Sequence, residues 1–546
     1  MSTSPVLPLM ADGTLPAVPF LVHWLARRVA AHDIHQVRLE RLPPGNGALP
    51  DLLASAGIQV LMLRHNPVGR PFTWKGWSGG RVLVNSDDPQ IAQNLHHGEL
   101  PWSAEAGALN HDLSETIAAA RLEDASAVCD SANDTDHGAT WDHLLDAALS
   151  SNCTPLSPPS IRNTHAATAA DSRLGAWNPL ALARRTVITL PTLIGKIPQG
   201  LSDQRGIRHP VQVVDGPNGG ELLVSVQLGA LESVLFAALD EAVPGCHWEV
   251  SHAVIDNGRV RAELDALGQV TRLCCDGRFV DWSGPALQAM VGDVPLGGTA
   301  RISVLEHGPV RARIAVTRVG ERGTLQLIYS VHAHEPLLRV SAIWQGDAGL
   351  RLECPTVVCA APLEVGGELA GWHLPQQFSA ECATMSPLAG LRWARLCEPD
   401  RHGLALIGVR PMTVTAIAGR LSLHIANAAE IALTESAWPA NAPGIAALAL
   451  ALSTPAQRAT VSVAPLLRLV GEGVVPWWIR RPSGWRGELL LGQPHGQRTR
   501  CTLYVAAKEA VRRDLRGGET AVRRTADGDG FDIDLAAGEL TTIRWR

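Results

Sequence analysis

Gly308-Pro309-Val310-Arg311-Ala312-Arg313-Ile314-Ala315-Val316-Thr317 decides how most of the chain is read, because its apolar positions recur at every second residue. Val310, Ala312, Ile314 and Val316 form one set; Arg311, Arg313, Ala315 and Thr317 form the other. A period of two puts one set on the core face of a strand and the other toward water, whereas a helix would scatter both sets around its axis. Leu338, Val340, Ala342 and Trp344 repeat the pattern. Turn signals at Asp256-Asn257-Gly258, at Leu267-Gly268-Gln269 and at Pro399-Asp400-Arg401-His402-Gly403 break the strands into antiparallel runs. Residues 176–464 therefore read as a large antiparallel β-sandwich region. Residues 465–546 carry a strand pattern of their own, ending in Thr541-Thr542-Ile543-Arg544-Trp545-Arg546, and read as a small terminal β-sandwich. No repeat indicates a propeller or solenoid.

The first hundred residues differ. Leu21, Trp24, Leu25 and Val29 recur at helical spacing, and residues 36–40 read as a short strand. Pro50 suits the first turn of a helix continued by Leu52, Leu53 and Ala56, which Gly57 ends before the apolar run at 58–63. This is an α/β layer over residues 1–100. At 101–175 the pattern becomes helical: Asp112 with Glu115 resembles a capping box, and Trp141, Leu144, Leu145, Ala148 and Leu149 share one face. The expected fold is multidomain α+β, with a small, truncated α/β layer and a short helical segment preceding large antiparallel β-sandwich domains.

The chain has 546 residues, of which 46% are hydrophobic, enough for several domains with sizeable cores. A net charge of −6 with both signs interspersed offers no basic stripe for a phosphate backbone, so nucleic acid is not an expected partner. The apolar run at 445–452 is far shorter than the ~20 residues a membrane helix needs, and no basic, then apolar leader opens the sequence. No membrane association is expected. Ten cysteines are spread without a CxxC spacing, the pattern of reduced thiols in a cytoplasmic protein. Cys274 and Cys275 are neighbours that a strand would turn to opposite faces.

Several stretches resemble, in order, the back half of glycoside hydrolase family 38 α-mannosidases. They are AWNPLALARRTVITLP at 176–191, IDNGRVRAELDALGQVTRL at 255–273, HGPVRA at 307–312, and the segments at 338–355, 393–406 and 537–544. The front half is similar only in fragments: LPDLL at 49–53 through to Arg64, FTWKG at 72–76 with Val82-Leu83, and Gly98-Glu99-Leu100. Between Asn85 and Gly98 only a dozen residues stand where the family carries a long stretch of barrel with its acid/base carboxylate.

The resemblance implies a retaining mannosidase with zinc, held by an N-terminal His-x-Asp and a helical His beside a nucleophilic Asp. This sequence has no counterpart of the first. Where the nucleophile turn is expected, residues 40–47 read ERLPPGNG, with Glu40 as the nearest carboxylate; where the helical His is expected, residues 147–152 read AALSSN. Hydroxyls and amides bind Zn²⁺ poorly. His111-Asp112 is accounted for by an N-cap beside a surface His. His32 with His35, His96-His97, and Asp87-Asp88 in the turn-forming Asn85-Ser86-Asp87-Asp88-Pro89 are accounted for as surface residues. No catalytic residue, no metal ligand and no cofactor are assigned.

What the resemblance leaves is recognition of sugar. Arg64 matches a family position near the nucleophile, and Trp74 and Trp77 offer flat apolar faces for a sugar ring. Packing explains Trp74 equally well. The expected function is that of a catalytically degenerate, α-mannosidase-related protein that binds carbohydrate such as an α-mannoside, or pairs with an active glycosidase subunit or with itself. The alternatives are an active α-mannosidase with a rebuilt or partner-completed site, and a structural β-sandwich protein.

Overall fold

The computed structural model describes residues 36–39, 50, 53–54, 56–63, 72–75 and 81–86, and most of 174–546. The expected helical segment falls outside the described residues up to position 173. Strands dominate the rest and nearly all pair antiparallel, as the alternating apolar pattern requires.

Four short strands near the N-terminus form a mixed sheet in the order Gln36–Leu39, Val60–Leu63, Arg81–Ser86, Phe72–Lys75. The first three run parallel and the last antiparallel. Val37, Leu61, Leu63, Trp74, Val82 and Val84 are buried in it, with Leu53 and Ala56. Gly57, at φ +88°, donates to the Ala54 carbonyl (3.0 Å) while Ile58 donates to that of Leu53 (2.9 Å), the close of a helical turn that only a left-handed residue completes easily.

From Leu174 onward the chain builds a seven-stranded sheet, a five-stranded sheet over 249–279, a large sheet running from residue 288 to 437, and two smaller sheets after Arg468. In the large sheet Arg311–Gly320 pairs with Gly323–His332, which pairs with Leu338–Gly346. Ala312, Ile314 and Val316 are buried, as are Leu325, Leu327, Tyr329 and Val331, and Leu338, Val340, Ala342 and Trp344. They share one core with Ile255, Val260, Ala262 and Leu273 of the five-stranded sheet. The sequence-derived faces are the observed ones.

The region also holds a helix that the alternation does not announce, Ala442–Ser453. Its alanines and leucines are strong helix formers, and Pro443 stands in the first turn, where no intrahelical N–H is lost. Ile445, Ala446, Ala449 and Leu452 recur at three- and four-residue spacing and pack on Trp393, Ala405, Ile407 and Ala432. Among the described residues no helix is long and apolar enough to cross a membrane. Cys275, Cys354 and Cys501 are buried and Cys246 and Cys274 half-buried, all as free thiols.

Gln212 stitches the seven-stranded sheet to the large one. Its Oε1 accepts the main-chain N–H of Val310 (3.1 Å) and of Arg311 (2.7 Å), and Gly308 leaves room for it: a Cβ there would stand 2.3 Å from Gln212 Cδ. Gln212→Ala orphans two donors at a buried position, so urea unfolding should show a loss of about 1–3 kcal/mol. A loss within error of zero would mean that these N–H groups find other acceptors.

Candidate functional site

The densest gathering of ionisable and polar groups among the described residues forms where three sheets meet, around the run His332-Ala333-His334-Glu335. This run ends the strand Gly323–His332 and turns toward Leu338. The turn is closed by Ala333 N–H on Val310 O (2.8 Å) and Glu335 N–H on His332 O (3.2 Å), with His334 at φ +64°. Left-handed backbone is uncommon outside glycine, though His is among the residues that adopt it more readily.

Asn257, from the Asp256-Asn257-Gly258 turn, clamps the five-stranded sheet to this run. Its Nδ2 donates to the carbonyls of His332 (2.6 Å) and Glu335 (2.9 Å), while its Oδ1 accepts the N–H of Arg259 (2.8 Å) and Val260 (2.7 Å). Every polar atom of this buried side chain is used, so the clamp is rigid. Arg259 adds a surface layer, forked on Asp276 at 2.7 Å through Nε and Nη2 and donating to His334 O at 2.8 Å through Nη1. That pairing holds the guanidinium above its ordinary range.

Glu335 is the charged centre. Arg339 forks onto its carboxylate, with Nε to Oε2 at 3.0 Å and Nη2 to Oε1 at 3.1 Å, and His332 Nδ1 lies 3.5 Å from Oε2. Burial alone would raise this carboxyl; Arg339 and His332 overcome it and bring it down to about 2. Burial, then Arg339, keeps His332 below its ordinary value. Arg184 approaches from the seven-stranded sheet, its Nη1 donating to Ala451 O (2.8 Å) and Thr454 O (2.5 Å), so that it caps the C-terminus of the Ala442–Ser453 helix. Burial lowers it to about 10, against the attraction of Glu335. A cation there also suits the negative end of the helix dipole.

At the outer edge Cys246 Sγ lies 3.5 Å from Nδ1 and 3.4 Å from Nε2 of His334. The junction can accept and donate hydrogen bonds and, at Cys246, offer a nucleophile. Glu335 is unsuited to general acid work, because a carboxyl held near 2 carries no proton at neutral pH.

Arg64 and Trp77, two of the three residues expected to contact sugar, lie outside the described residues. Trp74 is on the strand Phe72–Lys75 opposite Val82, 2% exposed, with its Nε1 buried and unpartnered among the described residues. The zinc implied by the resemblance finds no fitting donor set: among the described residues no three His, Cys, Asp or Glu side chains gather around a point where an ion could sit. The groups at the junction went unnoticed in the sequence because they come from four separated segments. The HAHE run at 332–335, four positions with three ionisable groups between two strands, is the one local signal that could mark them.

A scan of protein-family models and a search of curated proteins find no match. Among solved structures the chain is similar to an alpha-mannosidase from Enterococcus faecalis V583, with a TM-score of 0.66 and 11% identity, over 100% of this chain and 90% of that one. The fold is that of an α-mannosidase. At this identity the likeness establishes the α-mannosidase-like fold alone. Weaker likenesses are to a GH36 alpha-galactosidase from Geobacillus stearothermophilus, TM-score 0.21 at 9% identity over 29% of this chain and 30% of that one. A galactose mutarotase related enzyme from Lactobacillus acidophilus also scores 0.21, at 7% identity over 34% of this chain and 96% of that one. Scores this low carry no argument beside the α-mannosidase-like fold.

Proposed function

We propose that this chain is a carbohydrate-binding relative of the α-mannosidases that no longer hydrolyses glycosides. The observation that carries the reading is the α-mannosidase-like fold along the whole chain, set beside a sequence whose expected nucleophile and zinc positions read ERLPPGNG and AALSSN. Retaining hydrolysis requires a nucleophilic carboxylate and a second carboxyl that works as acid and then base, about 5–5.5 Å apart. A scaffold that has lost them keeps what recognition requires: a flat apolar face and planar hydrogen-bonding groups. The ligand class is a mannose or α-mannoside unit, stacked on Trp77 and hydrogen-bonded by Arg64, with Trp74 supporting the platform from the sheet beneath.

The test has two arms. In calorimetry, methyl α-mannoside should bind weakly, in the millimolar range, and Trp77→Ala should weaken binding about tenfold, the loss of roughly 1.4 kcal/mol of stacking. Hydrolysis of an aryl α-mannoside, with Zn²⁺ or Co²⁺ added, should stay at background. Robust turnover would replace this reading with an active mannosidase whose site is rebuilt or completed by a partner. A flat titration across a panel of mannosides would leave a structural β-sandwich protein.

A further inference from the structure

We propose that Cys246 and His334 form a thiol–imidazole pair that makes Cys246 a site of oxidation by hydroperoxides. Four features of the junction converge on this sulfur. The imidazole of His334 presents both ring nitrogens to Sγ within 3.5 Å. A main-chain hydrogen bond from His334 also reaches the sulfur, and Arg185 bears on it electrostatically. Cys246 is half-buried and His334 exposed, so a small oxidant can reach them from solvent. The turn that holds the imidazole is fixed, with Arg259 on the His334 carbonyl and Asn257 on those of its neighbours His332 and Glu335.

Protonation states suit the pair to proton transfer. Burial raises the Cys246 thiol, against the main chain of His334 and Arg185, and so keeps it protonated at neutral pH. Burial, then Arg185 and Arg259, lowers His334 and keeps its ring a neutral base. In the step proposed, sulfur attacks one oxygen of hydrogen peroxide while its proton passes to the imidazole. The O–O bond breaks, and the departing hydroxide takes that proton and leaves as water. Cys246 becomes a sulfenic acid, two electrons having passed from sulfur to peroxide. No other reactant is needed. The remaining described thiols lack this arrangement: Cys275 and Cys501 are buried and pushed up to about 12, and Cys354 is buried and pushed higher still. Half-buried Cys274 has a main-chain hydrogen bond at Gly277, and burial raises it. It serves as the internal comparison.

The experiment treats the folded full chain with hydrogen peroxide and a cyclic 1,3-diketone that traps sulfenic acids, and follows labelling at Cys246 and Cys274 by peptide mass spectrometry. General-base assistance at the low end of its usual range predicts that Cys246 is trapped about tenfold faster than Cys274, a lead that disappears in urea. His334→Asn removes the base while keeping a residue that tolerates left-handed backbone, and should slow Cys246 about tenfold while leaving Cys274 unchanged. Equal labelling of the two cysteines in the folded protein, or an unaltered Cys246 rate in H334A and H334N alike, would overturn the proposal.

Discussion

Replacing Glu335 with alanine should lower the free energy of unfolding by about 3–5 kcal/mol, the range for breaking a buried ion pair by removing one partner. The Glu335 side chain is 9% exposed, and Arg339 is forked onto it. Arg184, itself 7% exposed and attached to the helix C-terminus, draws on the same negative charge. Without the carboxylate two guanidiniums keep their charge next to each other and lose its compensation. The effect has a definite pH signature. Glu335 ionises at about 2 when folded against an ordinary value of 4.5, so its contribution is fully present above 4.5 and disappears as the pH falls through about 2. That shift corresponds to about 3 kcal/mol. Urea unfolding followed by tryptophan fluorescence should therefore show a gap between wild type and Glu335→Ala that is wide near neutral pH and narrows below 4.5. A gap of less than ~1 kcal/mol at neutral pH, or one that stays constant as the solution is acidified, would mean that Arg339 and Arg184 are satisfied without Glu335.

How much of this was legible in the sequence depends on the range over which each interaction acts. Alternation is local, so Ala312, Ile314, Val316, Val340 and Trp344 declare their faces from sequence alone, and all are buried. Turn chemistry is local too: Gly258 and Gly268 take φ values of +81° and +71° at turns marked by Asn-Gly and Gly-Gln. The Ala442–Ser453 helix is less evident, because an Ala- and Leu-rich run of this length fits a buried strand or a helix equally well until its neighbours are known. The junction is the hardest to foresee. Arg184, Cys246, Asn257 and Glu335 are far apart along the chain and become one site only through the pairing of sheets. Arg64 and Trp77 came from resemblance to a family, a warrant that supplies candidate positions and no distances.

The two turn glycines, alike in sequence, should respond very differently to the same substitution, and Gly268→Ala has the larger expected loss. Both glycines occupy left-handed backbone, where a Cβ costs about 1–2 kcal/mol. Gly258 has nothing within 4 Å of a Cβ placed on it, so Gly258→Ala should lose only that amount. A Cβ on Gly268 would meet Val316 Cγ1 at 2.3 Å and Cγ2 at 2.7 Å. Val316 is fully buried and belongs to the strand that reads the core face of the large sheet, so it has little freedom to yield. Its displacement adds an overpacking cost of about 1–3 kcal/mol. The turn cannot simply lift away: Tyr329, buried in the same core, donates its hydroxyl to Gly268 O at 2.8 Å, and retreat would strand that hydroxyl. Together these place the loss for Gly268→Ala at about 3 kcal/mol or more, against about 1–2 for Gly258→Ala. The difference between the two variants in urea unfolding isolates the packing of the 265–269 turn on the large sheet from the backbone cost they share. Equal losses would show that this turn is not seated on Val316, and with it would go the single core assigned to the five-stranded and large sheets.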